Sequence, residues 1–232
     1  MLRKSLIVCL IVICSVPVFG QNKVLDKPWI KENTPTRRVI PYTHVREADV
    51  MWQRRVWRTI DLREKINHPL YYPITSIQDR KSLYEVIKEG IMEGTITAYD
   101  ADVDDEFTVQ MTKSEAKSTM GAWKENKQFD EWGEEILGAS DSVYTDYESI
   151  DIVEYRLKEE WFFDRERSIM DVRILGISPV RNMIDANTGE SKGKVAMFWI
   201  YFPEARYVFA NYDVFNRQND AERRTFEDIF WK

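Results

Sequence analysis

Histidine and cysteine are almost missing from this chain of 232 residues, which has two of each. Both cysteines, Cys9 and Cys14, fall in an apolar run near the amino terminus, and the histidines are His44 and His68. A Ser/His/Asp or Cys/His nucleophilic machine therefore has almost no material. His68 has no H-E-x-x-H or similar companion, so a zinc site is not indicated either. Glycine is also scarce, at nine residues, and no glycine-rich loop is spaced to cradle a phosphate. Positive charge is not in surplus: 33 Lys+Arg against 39 Asp+Glu gives a net charge of −6. With a pI near 5.2, this argues against a general nucleic-acid binder, which needs clustered cations to neutralise phosphates. With 44% apolar and 13% aromatic residues and only eight prolines, the chain is neither fibrous nor broadly disordered and can build a sizeable core.

What is present begins with an address. Arg3 and Lys4 precede the apolar run Leu6–Val16, and Val18-Phe19-Gly20 offers a cleavage site, so residues 1–20 read as a secretory signal peptide. The run is short of the ~20 residues that cross a bilayer as a helix, and no later stretch is apolar enough to do so. The exported product would then be cysteine-free and held together by burial, hydrogen bonds and partners. Residues 21–45 contain Pro28, Pro35 and Pro41 among polar neighbours, a pattern that predicts an exposed, extended arm.

Residues 46–232 predict a single α+β domain. Ala48, Trp52, Val56 and Ile60 recur at helical spacing, so Arg46–Arg63 is assigned to a helix, with Val50 and Trp57 on its opposite side beside Arg54 and Arg58. Either both sides are core, or one side packs inward while Trp57, rimmed by arginines, anchors a partner subunit; the pattern leaves both open. Pro69–Pro73 reads as a short extended segment. A second helix is expected from Leu83 to Met92: Ser82 and Glu85 have capping-box spacing, Gly94 stands at the stop, and Leu83, Ile87 and Ile91 form the inward stripe. Thr95–Tyr99 and Phe107–Met111 alternate by twos, predicting a hairpin around the acidic loop Asp100–Glu106.

A helix over Lys113–Lys124 and a long mobile connection near 126–149 are expected next. Strands then dominate. Val153, Tyr155, Leu157 and Met170, Val172, Ile174 each alternate with polar residues, implying one wet face, while Val195–Phe202, apolar at both parities, is assigned to the sheet centre. The turn signals Asp164–Arg167 and Asn187-Thr188-Gly189 make an antiparallel meander the simplest arrangement. Short helices are expected at Glu204–Phe209 and Ala221–Trp231, the latter capped by Asn219 and docked through Phe226, Ile229 and Phe230. The fold class is α+β, helices packed on one antiparallel sheet.

The acidic loop is the one dense oxygen cluster. Asp100, Asp102 and Asp104 open like an EF-hand, but Asp105 stands where glycine is needed and Met111 where glutamate is needed, so a solvated turn or a docking patch for a basic surface fits better than calcium. A periplasmic glycan-active or glycan-binding role for Asp100, Asp102, Asp104, Asp105 and Glu106 beside Tyr99 is the alternative reading. The candidate partner interface comprises Trp52, Arg54, Trp57, Arg58, Asp104, Asp105 and Glu106.

Taken together, Asp49-Val50-Met51-Trp52, Arg54-Arg55-Val56-Trp57-Arg58, Ile60-Asp61-Leu62-Arg63-Glu64-Lys65 and Asn67-His68-Pro69-Leu70-Tyr71-Tyr72-Pro73 resemble the GldN/PorN family of Bacteroidota gliding and secretion proteins. Arg173-Ile174-Leu175-Gly176-Ile177-Ser178-Pro179 and Tyr201-Phe202-Pro203-Glu204-Ala205-Arg206 continue the likeness, which is weakest over 126–149. The resemblance implies a non-enzymatic periplasmic subunit of the type IX secretion system without cofactor or metal. It would form a ring of its own copies beneath the outer membrane with a lipoprotein of the GldK/PorK type, coupled to a motor whose periplasmic parts include GldM/PorM. No nucleic acid and no membrane span are implied.

Overall fold

The computed structural model describes residues 38–77, 80–103, 105–126, 141–184, 191–216, 219 and 223–231. The expected signal peptide, the first part of the arm, and the turn at Asn187-Thr188-Gly189 lie outside the described residues. The chain divides into two units, Met1–Thr34 and Pro35–Lys232, and every described strand and helix lies in the second.

The architecture is α+β. Eight strands are described: β1 Val50–Asp61, β2 Ala98–Tyr99, β3 Gly121–Asn126, β4 Asp141–Asp146, β5 Ile152–Asp164, β6 Ile169–Ile184, β7 Ser191–Ala196 and β8 Trp199–Tyr201. Six of them form one antiparallel sheet in the order β1-β5-β6-β8-β2, with β7 also paired to β6; β3 and β4 form a separate ribbon. The helices are α1 His68–Tyr71, α2 Leu83–Glu93, α3 Lys113–Thr119, α4 Phe202–Phe209 and α5 Phe226–Phe230.

Helix α2 forms for local reasons. The Ser82 hydroxyl accepts the Glu85 amide at 3.2 Å, and Gly94 ends the helix at φ 87, a left-handed turn open to glycine. Its stripe of Leu83, Ile87 and Ile91 is buried, each contributing roughly 1.5–3 kcal/mol of gross hydrophobic stabilisation. It packs against Tyr155, Leu157, Ile177 and Ile200, which the strand register places on one face of the sheet, joined by Phe202, Phe209 and Phe226. In the tight β5–β6 turn, Asp164 accepts the amides of Glu166 and Arg167 and the Arg167 guanidinium, which holds its carboxyl below the usual range.

Several expectations are corrected. Arg46–Arg63 is not a helix: residues 50–61 are strand β1, at the edge of the sheet. Trp52, Val56 and Ile60 are four apart, an even spacing that fits a strand as well as a helix. The β-branched and aromatic content (Val50, Trp52, Val56, Trp57, Thr59, Ile60) favours the strand once β5 is there to pair with it. The proline-fenced segment holds a helical turn, α1, with Pro69 in its first turn, where a missing amide hydrogen costs nothing. The hairpin flanking the acidic loop is reduced to the Tyr99–Gln110 bridge and its neighbouring bonds, because β2 pairs with β8 instead.

The helix from Lys113 stops at Thr119. At Gly121 the chain starts β3 against β4, so residues 141–146 are strand rather than loose connection, and a Cβ at Gly121 would sit 2.7 Å from the Thr145 carbonyl. By strand order the sheet centre is β6; the 195–202 segment divides between the end of β7 and β8, the latter also interior, paired to β6 on one edge and to β2 on the other. Strand β5 has no wet face: Glu154, Lys158 and Glu159 are buried along with Tyr155 and Leu157. The last helix starts at Phe226 under a Thr225–Asp228 capping box; residues 223–225, inside the expected Ala221–Trp231 helix, are not helical, and Ala221 itself lies outside the described residues.

Residues 38–45 are extended but fastened. Arg206 donates to the Ile40 carbonyl at 2.7 Å, and its guanidinium lies 4.2 Å from the Tyr42 ring and 4.8 Å from that of Trp231. Arg173 donates to the Thr43 carbonyl and sits over both Tyr42 and Phe162. Burial pushes the Tyr42 hydroxyl pKa up.

Candidate interaction surface

Strand register sorts the seven candidate residues. Trp52, Arg54, Val56, Arg58 and Ile60 share a face with Phe163, Trp161, Glu159, Leu157 and Tyr155, the face on which α2 packs. Gln53, Arg55, Trp57 and Thr59 share the reverse face with Phe162, Glu160, Lys158 and Arg156. Trp57 and Arg58, expected to act together, therefore point apart.

On the reverse face the structure brings Trp57, Asp105 and Glu106 together. The Trp57 indole donates to Asp105 Oδ2 at 2.6 Å. Lys158, 2% exposed, is held by Asp105 Oδ1 at 3.4 Å and by the Asp105 carbonyl, and lies 5.2 Å from the centre of the Phe107 ring. Phe107, at φ 61, turns its ring edge-on to Tyr99, Trp199 and Tyr201, directly above Gly176, where a Cβ would come within 2.5 Å of it. The acidic loop is thus pinned to the sheet by one buried ammonium and one aromatic ring. Glu106 reaches Arg55 only at 3.9 Å between exposed side chains, a contact worth little in water. Asp100 accepts the Asp102 amide at 2.8 Å, a local turn, and Asp104 lies outside the described residues. Among the described residues no three acidic, histidine or cysteine side chains converge to hold a metal.

On the other face Arg58 is occupied: it donates to Glu159 at 2.9 Å, and Glu159, fully buried, also accepts the Trp161 indole at 3.0 Å. Arg54 makes no ion pair or hydrogen bond among the described residues. Beside it the register places Trp52, Phe163 and Met170 in one row across β1, β5 and β6, with Trp52 46% and Met170 55% exposed. This is an open apolar row at the end of the long three-stranded section, next to an uncommitted arginine and an edge strand whose outer side pairs with no strand among the described residues.

Sequence reasoning missed Lys158, Arg55 and Phe107 on one face and Phe163 and Met170 on the other. Period-two reading of residues 50–61 would have grouped Arg55 with Trp57 and Trp52 with Arg54. Nothing local marks Lys158 as buried. Among the described residues no helix is long and apolar enough to cross a membrane. A family model described as "Gliding motility associated protein GldN" matches residues 45–232. No curated protein matches the chain.

Proposed function

The chain belongs to the GldN family, and from that premise we propose that it is a non-enzymatic structural subunit of the gliding and type IX secretion apparatus, working in the periplasm. In this reading copies of the chain close a ring with an outer-membrane lipoprotein of the GldK/PorK type, and a GldM/PorM-like motor protein engages that ring. The observation that carries the reading is the open end of the sheet. An edge strand of twelve residues, flanked by exposed Trp52 and Met170 with half-buried Phe163 between them and by Arg54, unpaired among the described residues, is the composition of a protein-binding surface rather than of a settled exterior. The acidic loop is spent on Trp57 and Lys158, so the interface is assigned to the Trp52–Arg54 side of β1.

The test is co-purification with the lipoprotein. Trp52→Ala with Arg54→Glu should cut complex yield at least tenfold while circular dichroism and Tm stay at wild-type values, since both side chains are exposed. Unchanged yield would discard this surface. Arg58→Glu is unsuitable, because it would set a second carboxylate against the buried Glu159 and unfold the strand pair for reasons unrelated to binding.

A further inference from the structure

A second site lies away from this surface and does not depend on the partner-binding reading. Between α2, α3 and β4 is a cleft of about 710 Å³, lined among others by Tyr84, Glu85, Lys88, Lys117, Tyr144 and Tyr147. That volume is within the ~300–1,000 Å³ usual for small-molecule sites. Its polar groups divide into satisfied and unsatisfied. Lys88 donates to Asp146 at 2.7 Å, Glu148 caps the short turn at Ser149–Asp151, and the Tyr144 hydroxyl donates to the Lys117 carbonyl.

Three of the remaining groups carry the chemistry. The Tyr84 hydroxyl, on a side chain 1% exposed, has no hydrogen-bond partner among the described residues, and neither does the buried Oε2 of Glu85. The Lys117 ammonium, at the exposed rim, makes no ion pair among the described residues and lies 5.6 Å from the centre of the Tyr144 ring. Burial pushes the pKa of both Tyr84 and Glu85 up, and for Glu85 it does so against the pull of the Ser82 amide and of the Lys81 and Lys88 ammoniums. Native proteins rarely leave buried polar atoms unpaired, and such atoms lining a cleft mark what its occupant supplies.

The occupant's chemistry follows from these remainders. An ionised carboxylate only accepts, so Glu85 Oε2 requires a donor, and a cationic donor restores its charged form. The surrounding tyrosine rings also favour a cation. The rim ammonium of Lys117, exposed and without an ion pair among the described residues, is free to take an anion. A simple anion would meet Glu85, Asp146 and Glu148, a lone amine would leave Lys117 uncompensated, and a neutral sugar would compensate neither charge. A divalent cation would find Asp146 and Glu148 already engaged. We propose that the cleft binds a zwitterionic amino-acid group, either a free amino acid or a short peptide, with its ammonium against Glu85 and Tyr84 and its carboxylate against Lys117.

Calorimetric titration of the purified protein tests this with L-lysine, triglycine, cadaverine, glutarate and N-acetylglucosamine. The zwitterions should bind and the neutral sugar and the dicarboxylate should not; lysine against triglycine separates a free amino acid from a peptide. Lys117→Met should weaken the zwitterion about tenfold and leave cadaverine unaffected, whereas Glu85→Gln should weaken both about tenfold, the size of one lost charged contact. Tyr84→Phe should weaken the zwitterion and, by removing a buried unpaired hydroxyl, raise the Tm of the unliganded protein. Absence of zwitterion binding, binding of the sugar in its place, or zwitterion affinities untouched by both charge variants would overturn the proposal.

Discussion

Replacing Asp105 with alanine tests the contact that ties the acidic loop to the sheet. Lys158 is 2% exposed, and among the described residues its ammonium has, beyond the Asp105 carboxylate, only the Asp105 carbonyl and the Phe107 ring. Removing one partner of a fully buried ion pair costs about 3–5 kcal/mol. Here the carboxylate is one-third exposed and the carbonyl remains, so part of the attraction is already screened. Losing the 2.6 Å bond from Trp57 adds little, since that indole regains water. The expected loss is about 2 kcal/mol, which for a domain of this size lowers the Tm by roughly 4–8 °C. Thermal denaturation followed by circular dichroism measures it.

The decisive arm is the double variant Asp105→Ala with Lys158→Met, in which an apolar chain of similar length replaces the buried ammonium. Apolar replacement of a buried pair is often neutral or stabilising, so the double variant should return to within about 1 kcal/mol of wild type. If Asp105→Ala alone sits within about 0.5 kcal/mol of wild type, or if methionine fails to rescue it, charge does not pin the loop to the sheet.

Arg206→Met should be more severe, because Arg206 donates to Glu227 through Nε at 2.8 Å and Nη2 at 2.5 Å, and removing it leaves a carboxylate buried without its cation, for about 3 kcal/mol. The same change should release residues 38–45, read as faster proteolysis there at temperatures where the rest is folded. At alkaline pH, Tyr212 should act as a reporter. Burial and its bond to Glu89 at 3.0 Å push its pKa up to about 12 from 10.0, so its contribution is fully present below pH 10.0 and is lost as pH rises through about 12. Phenolate absorbance that appears with an ordinary midpoint for Tyr212, compared with Tyr212→Phe, would refute that environment.

The elements read correctly from sequence are those whose causes are local. Ser82, Glu85 and Gly94 define α2 within one turn at each end, and the Asp164–Arg167 turn is fixed by a single side chain bonding amides two and three residues on. Strand β1 fails that test. Its apolar spacing of four is compatible with helix and strand alike, and what decides is β5, about a hundred residues later, which offers a ladder along almost the whole of 50–61. Strand β5 misleads for a related reason. Its alternation promised a wet face, but the acidic loop and the arm cover one face while helices and the Arg58–Glu159 pair fill the other, so Lys158 and Glu159 are buried next to each other.

The candidate site divides the same way. Residue types suited to a partner surface (tryptophan, arginine, clustered carboxylates) were legible because enrichment needs no coordinates. Which of them act together was not, since a residue's face depends on whether the backbone turns by 100° or 180° per step. By itself the sequence determined the α+β class, the buried stripe and caps of α2, and the scarcity of residues for nucleophilic catalysis. Only the tertiary structure decided that Trp57 and Asp105 meet over a buried lysine, that Trp52 and Arg54 stay open, and that Tyr84 and Glu85 face one cleft with Lys117 at its rim. Those outcomes depend on pairings between distant strands, and no local free energy encodes them.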